Sequence, residues 1–255
     1  MRTKIFEPEV EIENICTWIK NYFVENGPNS KAVIGISGGK DSTITATLLV
    51  RALGPERVIG VMMPNGEQSD IADSIRVCEL LGIKNYTINI KNTYQNLTED
   101  FINHTNLALT SQIETNTPSR LRMTTLYMVA AAVNGRVVGT TNESEWFIGY
   151  FTKWGDSGCD FAPLKWYTVS EVLQIGDALG LPYDLVHKTP SDGMCGKSDE
   201  EQMGITYEEI DDYLHNDGLG LTEETYNKIE AVSWKSFHKH DMAPGITDYF
   251  NYLED

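Results

Sequence analysis

Only four of the 255 residues are cysteines, Cys16, Cys78, Cys159 and Cys195, and no two form a CxxC pair. That spacing argues against a zinc knuckle or a thioredoxin-type centre and in favour of reduced thiols. Positive charge is also scarce: 20 Lys and Arg stand against 37 Asp and Glu, a net charge of −17. Nucleic acids and anionic membrane surfaces are bound through clustered Lys and Arg, so neither is an expected partner. A phosphate-bearing substrate would need a local positive site. The longest apolar runs, VIGVMM and MVAAAV, are too short to cross a bilayer. The N-terminal stretch MRTKIFEPEVEIENI lacks the apolar centre of a secretory signal, and a cytoplasmic location is expected. No Pro/Ser-rich linker, internal repeat or low-complexity stretch interrupts the chain, so residues 1–255 are expected to form a single domain.

What is present is a regular alternation. Ile12, Ile15, Cys16, Ile19, Tyr22 and Phe23 recur at helical spacing and predict a helix over 9–25. KAVIGIS (31–37), VIGVMMP (58–64), YTINI (86–90) and RVVGTT (136–141) read as strands. Helices are expected over 41–54, 69–82, near 93–108, over 117–135 and from about 168 to 180. Thr117 would cap the helix over 117–135, with Pro118 in its first turn, and Thr168 with Glu171 forms a capping box. Two acidic helices are expected over 206–235. The pattern implies an α/β fold: a doubly wound, mostly parallel sheet flanked by helices, with a helical C-terminal tail.

GISGGKDS, residues 35–42, joins the first strand to the next helix. Gly38 and Gly39 let backbone N–H groups approach an anion, and the helix N-terminus adds partial positive charge. Ser37 and Ser42 supply hydroxyls and Lys40 a cation. A Walker A loop needs glycine five residues before Gly39 and Ser or Thr after the lysine; Ile34 and Asp41 stand there instead. Asp41 would repel a phosphate unless a magnesium ion lay between them; otherwise it is a helix N-terminal aspartate favoured by the dipole. VVGTTNESEWFIGYFTKWGDSGCDFAPL (137–164) leaves the fourth strand. In a doubly wound sheet it faces the 35–42 loop across one crevice.

The loop resembles the SGGxDS pyrophosphate loop of the N-type ATP pyrophosphatases, whose fold is adenine nucleotide alpha-hydrolase-like. Together with NTPSRLRMTTLY, GTTNESEWFIGYFTKWGDSGCDFAPL and DEEQMGITYEEIDDYL, the chain is similar to the ammonia-dependent NAD synthetase family from about residue 31 to 244. The resemblance implies ATP-dependent amidation of nicotinic acid adenine dinucleotide (deamido-NAD) with ammonia, through an acyl-adenylate. It implies ATP and Mg2+ as cofactors and a homodimer with a shared substrate site. Alternatives are amidation of nicotinate mononucleotide, or a non-catalytic adenine-nucleotide sensor on the same fold. Gly35, Ile36, Ser37, Gly38, Gly39, Lys40, Asp41, Ser42, Gln68, Thr140 and Ser191 would contact ATP. Asp41 and Glu145 would share the metal. Arg120, Lys153, Asp160, His238 and Lys239 would hold deamido-NAD. Asp41, Lys40 and Asp156 would be catalytic, Asp156 steering and deprotonating ammonia. Arg120 and Arg122 are expected in a first helical turn, where a cation costs roughly 0.3–1 kcal/mol and an anionic ligand would offset that cost. The chain departs from the family at Val169, usually a lysine, with Lys165 or Lys40 as substitutes, and at Gln202, usually glutamate.

Overall fold

The computed structural model describes residues 6–68, 71–188 and 199–240. Its centre is a parallel sheet of β1 (Lys31–Gly35), β2 (Val58–Met62), β3 (Lys84–Thr87) and β4 (Gly135–Val138), in the order β3-β2-β1-β4. Val33 pairs with Ile59 on one side and Val137 on the other. β1 and β2 read as near-continuous apolar runs because both faces of a parallel sheet are covered.

One face carries α1 (Pro8–Asn26), α2 (Lys40–Leu53), α3 (Ile71–Leu81) and, later in the chain, α7 (Val169–Ala178). Ala32 and Ile34 of β1 meet Ile19 and Phe23 of α1, Ile44 and Leu48 of α2 and Ile175 of α7 there. The other face carries α4 (Lys91–Thr105) and α5 (Ser111–Val133), where Val33, Ile59 and Val137 pack on Ala130. The alternation along β1 therefore divides the core into two layers. A third cluster joins α6 (Glu143–Ile148) and the start of α7 to α10 (Tyr207–Asn216) and α11 (Glu223–Ser236) through Ile148, Val169, Tyr207, Ile210 and Ile229. Short helices α8 (Tyr183–Val186) and α9 (Asp199–Met203) complete the described elements, with 3-10 turns at Pro55–Arg57 and Phe237–Lys239. No helix among the described residues is long and apolar enough to cross a membrane.

The chain builds outward from β1 to β3, then returns to the opposite side of β1 with β4. That reversal opens a crevice at the carboxyl ends of β1 and β4. The Thr168–Glu171 capping box at the start of α7 forms as expected. Two expectations are corrected. α5 begins at Ser111 rather than 117, because the Thr110 hydroxyl caps it by accepting from Ile113 N; Pro118 lies inside the helix. Arg120 and Arg122 therefore sit in the helix body, and the first-turn dipole argument does not apply to them. β3 begins at Lys84 rather than 86, although Ile88 N and Ile90 N still donate to Met62 O and Pro64 O, which extends the pairing past the regular strand.

The tail helices are fastened to α6 at Gly149, which ends α6 with φ +67. A Cβ there would stand 2.1 Å from Ser236 Cβ. Gly149→Ala is expected to lower stability by roughly 1–3 kcal/mol, read as a fall in the urea midpoint. An unchanged midpoint would show that α11 does not rest on this turn.

Candidate active site

The chain leaves β1 at Gly35, and Ile36 N still donates to Val61 O before the turn into α2. Gly38 takes φ +79, and a Cβ there would lie 3.0 Å from Asp73 Cβ and 3.1 Å from Ser74 N of α3. A side chain fits neither that backbone nor that gap. The Ser37 and Ser42 hydroxyls lie 3.0 Å apart, Gly39 N donates to Ser37 Oγ at 3.2 Å, and Ser42 Oγ donates to Gly39 O at 3.1 Å. The loop is thus braced by its own hydroxyls. Gly39 caps α2 without a side chain, so the first amides of a 14-residue helix are offered to water or an anion.

Two carboxylates meet beside this loop. Asp41 Oδ2 accepts from Lys40 Nζ at 2.8 Å, and Asp41 Oδ1 accepts from Asn142 Nδ2 at 3.0 Å. Asn142 is fully buried and caps α6. Its backbone N donates to Glu145 Oε2 at 3.2 Å, and its Oδ1 accepts from Glu145 N at 3.0 Å. One residue therefore holds the Asp41 carboxylate through its amide and the Glu145 carboxylate through its backbone. Burial, and then the negative charge of Asp41, push Glu145 from 4.5 up to about 8, against the opposing pull of Lys40. Lys40 is itself buried, at 5% exposure, with its ammonium 5.7 Å from the Tyr207 ring centre.

Could this pair hold a metal? Among the described residues no three His, Cys, Asp or Glu side chains are grouped to bind one on protein ligands alone. Magnesium ordinarily takes one or two carboxylates and completes its shell with water and substrate phosphates. A carboxyl that resists ionisation because it is buried and another stands near it would ionise beside a divalent cation. Asp41 and Glu145 fit that mode.

The loop after α6 gathers a second group. Lys153 O accepts from Arg120 Nε and Nη2, both at 3.3 Å, and Lys153 Nζ donates to His238 O at 2.5 Å. Lys239 Nζ donates to Gly149 O at 2.7 Å and Phe151 O at 3.0 Å, and burial lowers its pKa. Asp156 Oδ1 accepts from Ser119 Oγ at 2.7 Å and Thr152 N at 2.9 Å. The Asp156 charge acts on Glu145, Lys239 and Arg122 alike, which ties this group to the carboxylate pair. Trp146 and Phe151 stack at 4.9 Å between the two groups.

Arg120, Lys153, Asp156, His238 and Lys239 are thus brought together, and Asp160 is not. Asp160 Oδ2 accepts from Val137 N at 2.7 Å and its Oδ1 from Tyr127 OH at 3.0 Å, along the edge of β4 where Phe161 bridges Val138. It lines a separate cleft of about 1110 Å³ with Trp18, Tyr22, Phe161, Lys165 and Trp166. Thr140 lies between β4 and α6, and Gln68 stands just before α3. Ser191 falls outside the described residues. Val169 is buried against the tail helices, and Lys165 Nζ stands 3.9 Å over the Trp146 ring, so of the two lysines it is Lys40 that touches the carboxylate pair. The sequence reading missed Asn142, although N-x-x-E is a capping pattern that could have marked it.

The raised pKa of Glu145 has a sign that can be checked. Between 4.5 and about 8 the folded chain holds a proton that the unfolded chain releases, so its stability contribution is present at low pH and is lost as pH rises through that window. Without ligands, Glu145→Gln is expected to melt with wild type near pH 5 and above wild type from about pH 8 upward. Melting curves that stay parallel across this range would contradict the placement of Glu145.

A family model described as NAD synthase matches residues 11–243. The NH(3)-dependent NAD(+) synthetase of Alkaliphilus metalliredigens is 39% identical over 246 residues, 93% of this chain and 98% of that protein. Among solved structures, NMN synthetase from Francisella tularensis superposes with a TM-score of 0.86 at 34% identity, covering 94% of this chain and 99% of that one. NAD+ synthetase from Burkholderia pseudomallei gives 0.77 at 27% identity, covering 94% and 92%. With a family-model match over residues 11–243 and a relative 39% identical over 93% of the sequence, the chain belongs to the NAD synthase family.

Proposed function

We propose that this chain amidates nicotinic acid adenine dinucleotide with ammonia, consuming ATP and releasing AMP and pyrophosphate. The observation that carries this reading is the Asn142 bridge, which joins the nucleotide loop at Asp41 to the helix that leads into the substrate loop.

A carboxylate is a poor electrophile, so amidation requires its oxygen to become a leaving group. In this reading the nicotinate carboxylate attacks the α-phosphorus of ATP. Pyrophosphate departs into the 35–42 loop, where the α2 amides, Ser37, Ser42 and Lys40 balance its charge. Magnesium held by Asp41, Glu145 and the phosphates would supply further neutralisation. Arg120 and Lys153 orient the acid, supported by His238 and Lys239. In this reading Asp156, held by Ser119 and Thr152, accepts the proton that ammonia loses as it displaces AMP. Thr140, Gln68 and Ser191 complete the ATP contacts. The aromatic cleft beside Asp160 suits the adenylate half of the dinucleotide. A single catalytic domain working as a homodimer belongs to the same reading: Trp18, Trp166 and Met128 are exposed at 46%, 61% and 68%.

A second reading, amidation of the mononucleotide, is favoured by the close superposition on the Francisella NMN synthetase. Steady-state assays with each acid at equal ATP and ammonia separate the two. The dinucleotide is expected to give the higher kcat/KM, and Asp41→Asn to lower kcat by roughly 100-fold. A mononucleotide preference assigns the second reading, and pyrophosphate formed with neither acid sinks both.

A further inference from the structure

Four non-glycine residues among those described take the left-handed backbone region. Asn106, Asn134 and Asp217 each do so at a helix C-cap, where short polar side chains are tolerated. The fourth is Trp154, at φ +61, in the loop that carries Lys153 and Asp156. A bulky residue is strained in this conformation and persists only where its surroundings over-determine it. Here they do: Gly155 N donates to Thr152 O at 2.9 Å, Thr152 N donates to Asp156 Oδ1 at 2.9 Å, and Ser157 Oγ donates to Thr152 O at 3.0 Å.

The indole gains little from being there. Trp154 is 46% exposed and belongs to none of the three core clusters. Its one ring interaction among the described residues is with the Lys153 ammonium, 5.4 Å from the ring centre. A π-face that already receives the Lys153 ammonium, with the Arg120 guanidinium held at Lys153 O beside it, matches one kind of ligand. In nicotinate nucleotides the ring nitrogen is glycosylated, so the ring is a pyridinium cation bearing a carboxylate.

Resting on the amidation reading above, we propose that Trp154 is a specificity-determining residue whose indole face receives the pyridinium ring of the acid substrate while Arg120 and Lys153 take its carboxylate. The strained turn fixes the ring at the rim of the site, so the substrate meets a surface already in place. The attraction is between a ring quadrupole and a desolvated cation, and it is independent of the rest of the nucleotide.

Trp154→Leu, Trp154→Phe and Trp154→Gly test this with steady-state kinetics and thermal melting. The leucine variant is expected to raise KM for the acid about tenfold while KM for ATP stays within about twofold, and phenylalanine to recover most of the loss. The glycine variant, relieved of strain, is expected to share the raised acid KM with a Tm at or above that of wild type. An unchanged acid KM in the leucine variant, or a glycine variant whose Tm falls, overturns the proposal; the second result would assign the ring to packing. A wild-type protein that amidates neither acid defeats the amidation reading itself, which is a separate outcome.

Discussion

The burial of the Glu145 carboxyl beside Asp41 is the constraint on which the arrangement of the crevice depends. Two carboxyls near each other, one of them pushed up to about 8, make an arrangement that folding alone does not favour. It is tolerated because Asn142 grips both and Lys40 supplies the nearest opposite charge. Asn142 is in turn fixed by its own helix, since the capping box that engages Glu145 also satisfies the first amides of α6. The same hydrogen bonds therefore begin a helix, orient a carboxylate and connect two loops 101 residues apart.

A buried network behind the site holds α6 in place. Ser144 Oγ donates to Asp211 Oδ1 and accepts from Val169 N at 3.0 Å, while Asp211 Oδ2 accepts from Ser170 N at 2.8 Å. The carboxylate of α10 thus sits at the N-terminus of α7, where the helix dipole favours a negative charge. Three helices share one set of polar groups, of which Ser144 and Asp211 are buried. Full satisfaction is what makes such a network rigid.

Much of this was legible in the sequence, for identifiable reasons. The strands were visible because both faces of the sheet are covered, which forces Val and Ile into short runs. The 35–42 loop was visible because its backbone demands glycine at Gly38 and the Ser37 and Ser42 hydroxyls brace the turn. The start of α5 was not: Pro118 fits a first turn so well that it masked Thr110, whose hydroxyl is the actual cap. The separation of Asp160 from Arg120 and Lys153 was also hidden, because it depends on Asp160 pairing with the edge of β4, a tertiary contact without local pattern. Nor does any periodicity announce that Trp154 occupies left-handed backbone; only the surrounding turn imposes it.

The 3-10 turn Phe237–Lys239 and the residue after it lie close to backbone carbonyls of α6 and the loop that follows it: Lys239 donates to Gly149 O and Phe151 O, and a His240 ring nitrogen lies 2.6 Å from Trp146 O. The consequence is one of timing during synthesis. A nascent chain can form the parallel sheet and the 35–42 turn long before residue 237 leaves the ribosome, but the loop after α6 lacks its clasp until then. The loop after α6 is therefore among the last parts of the described fold to be fixed.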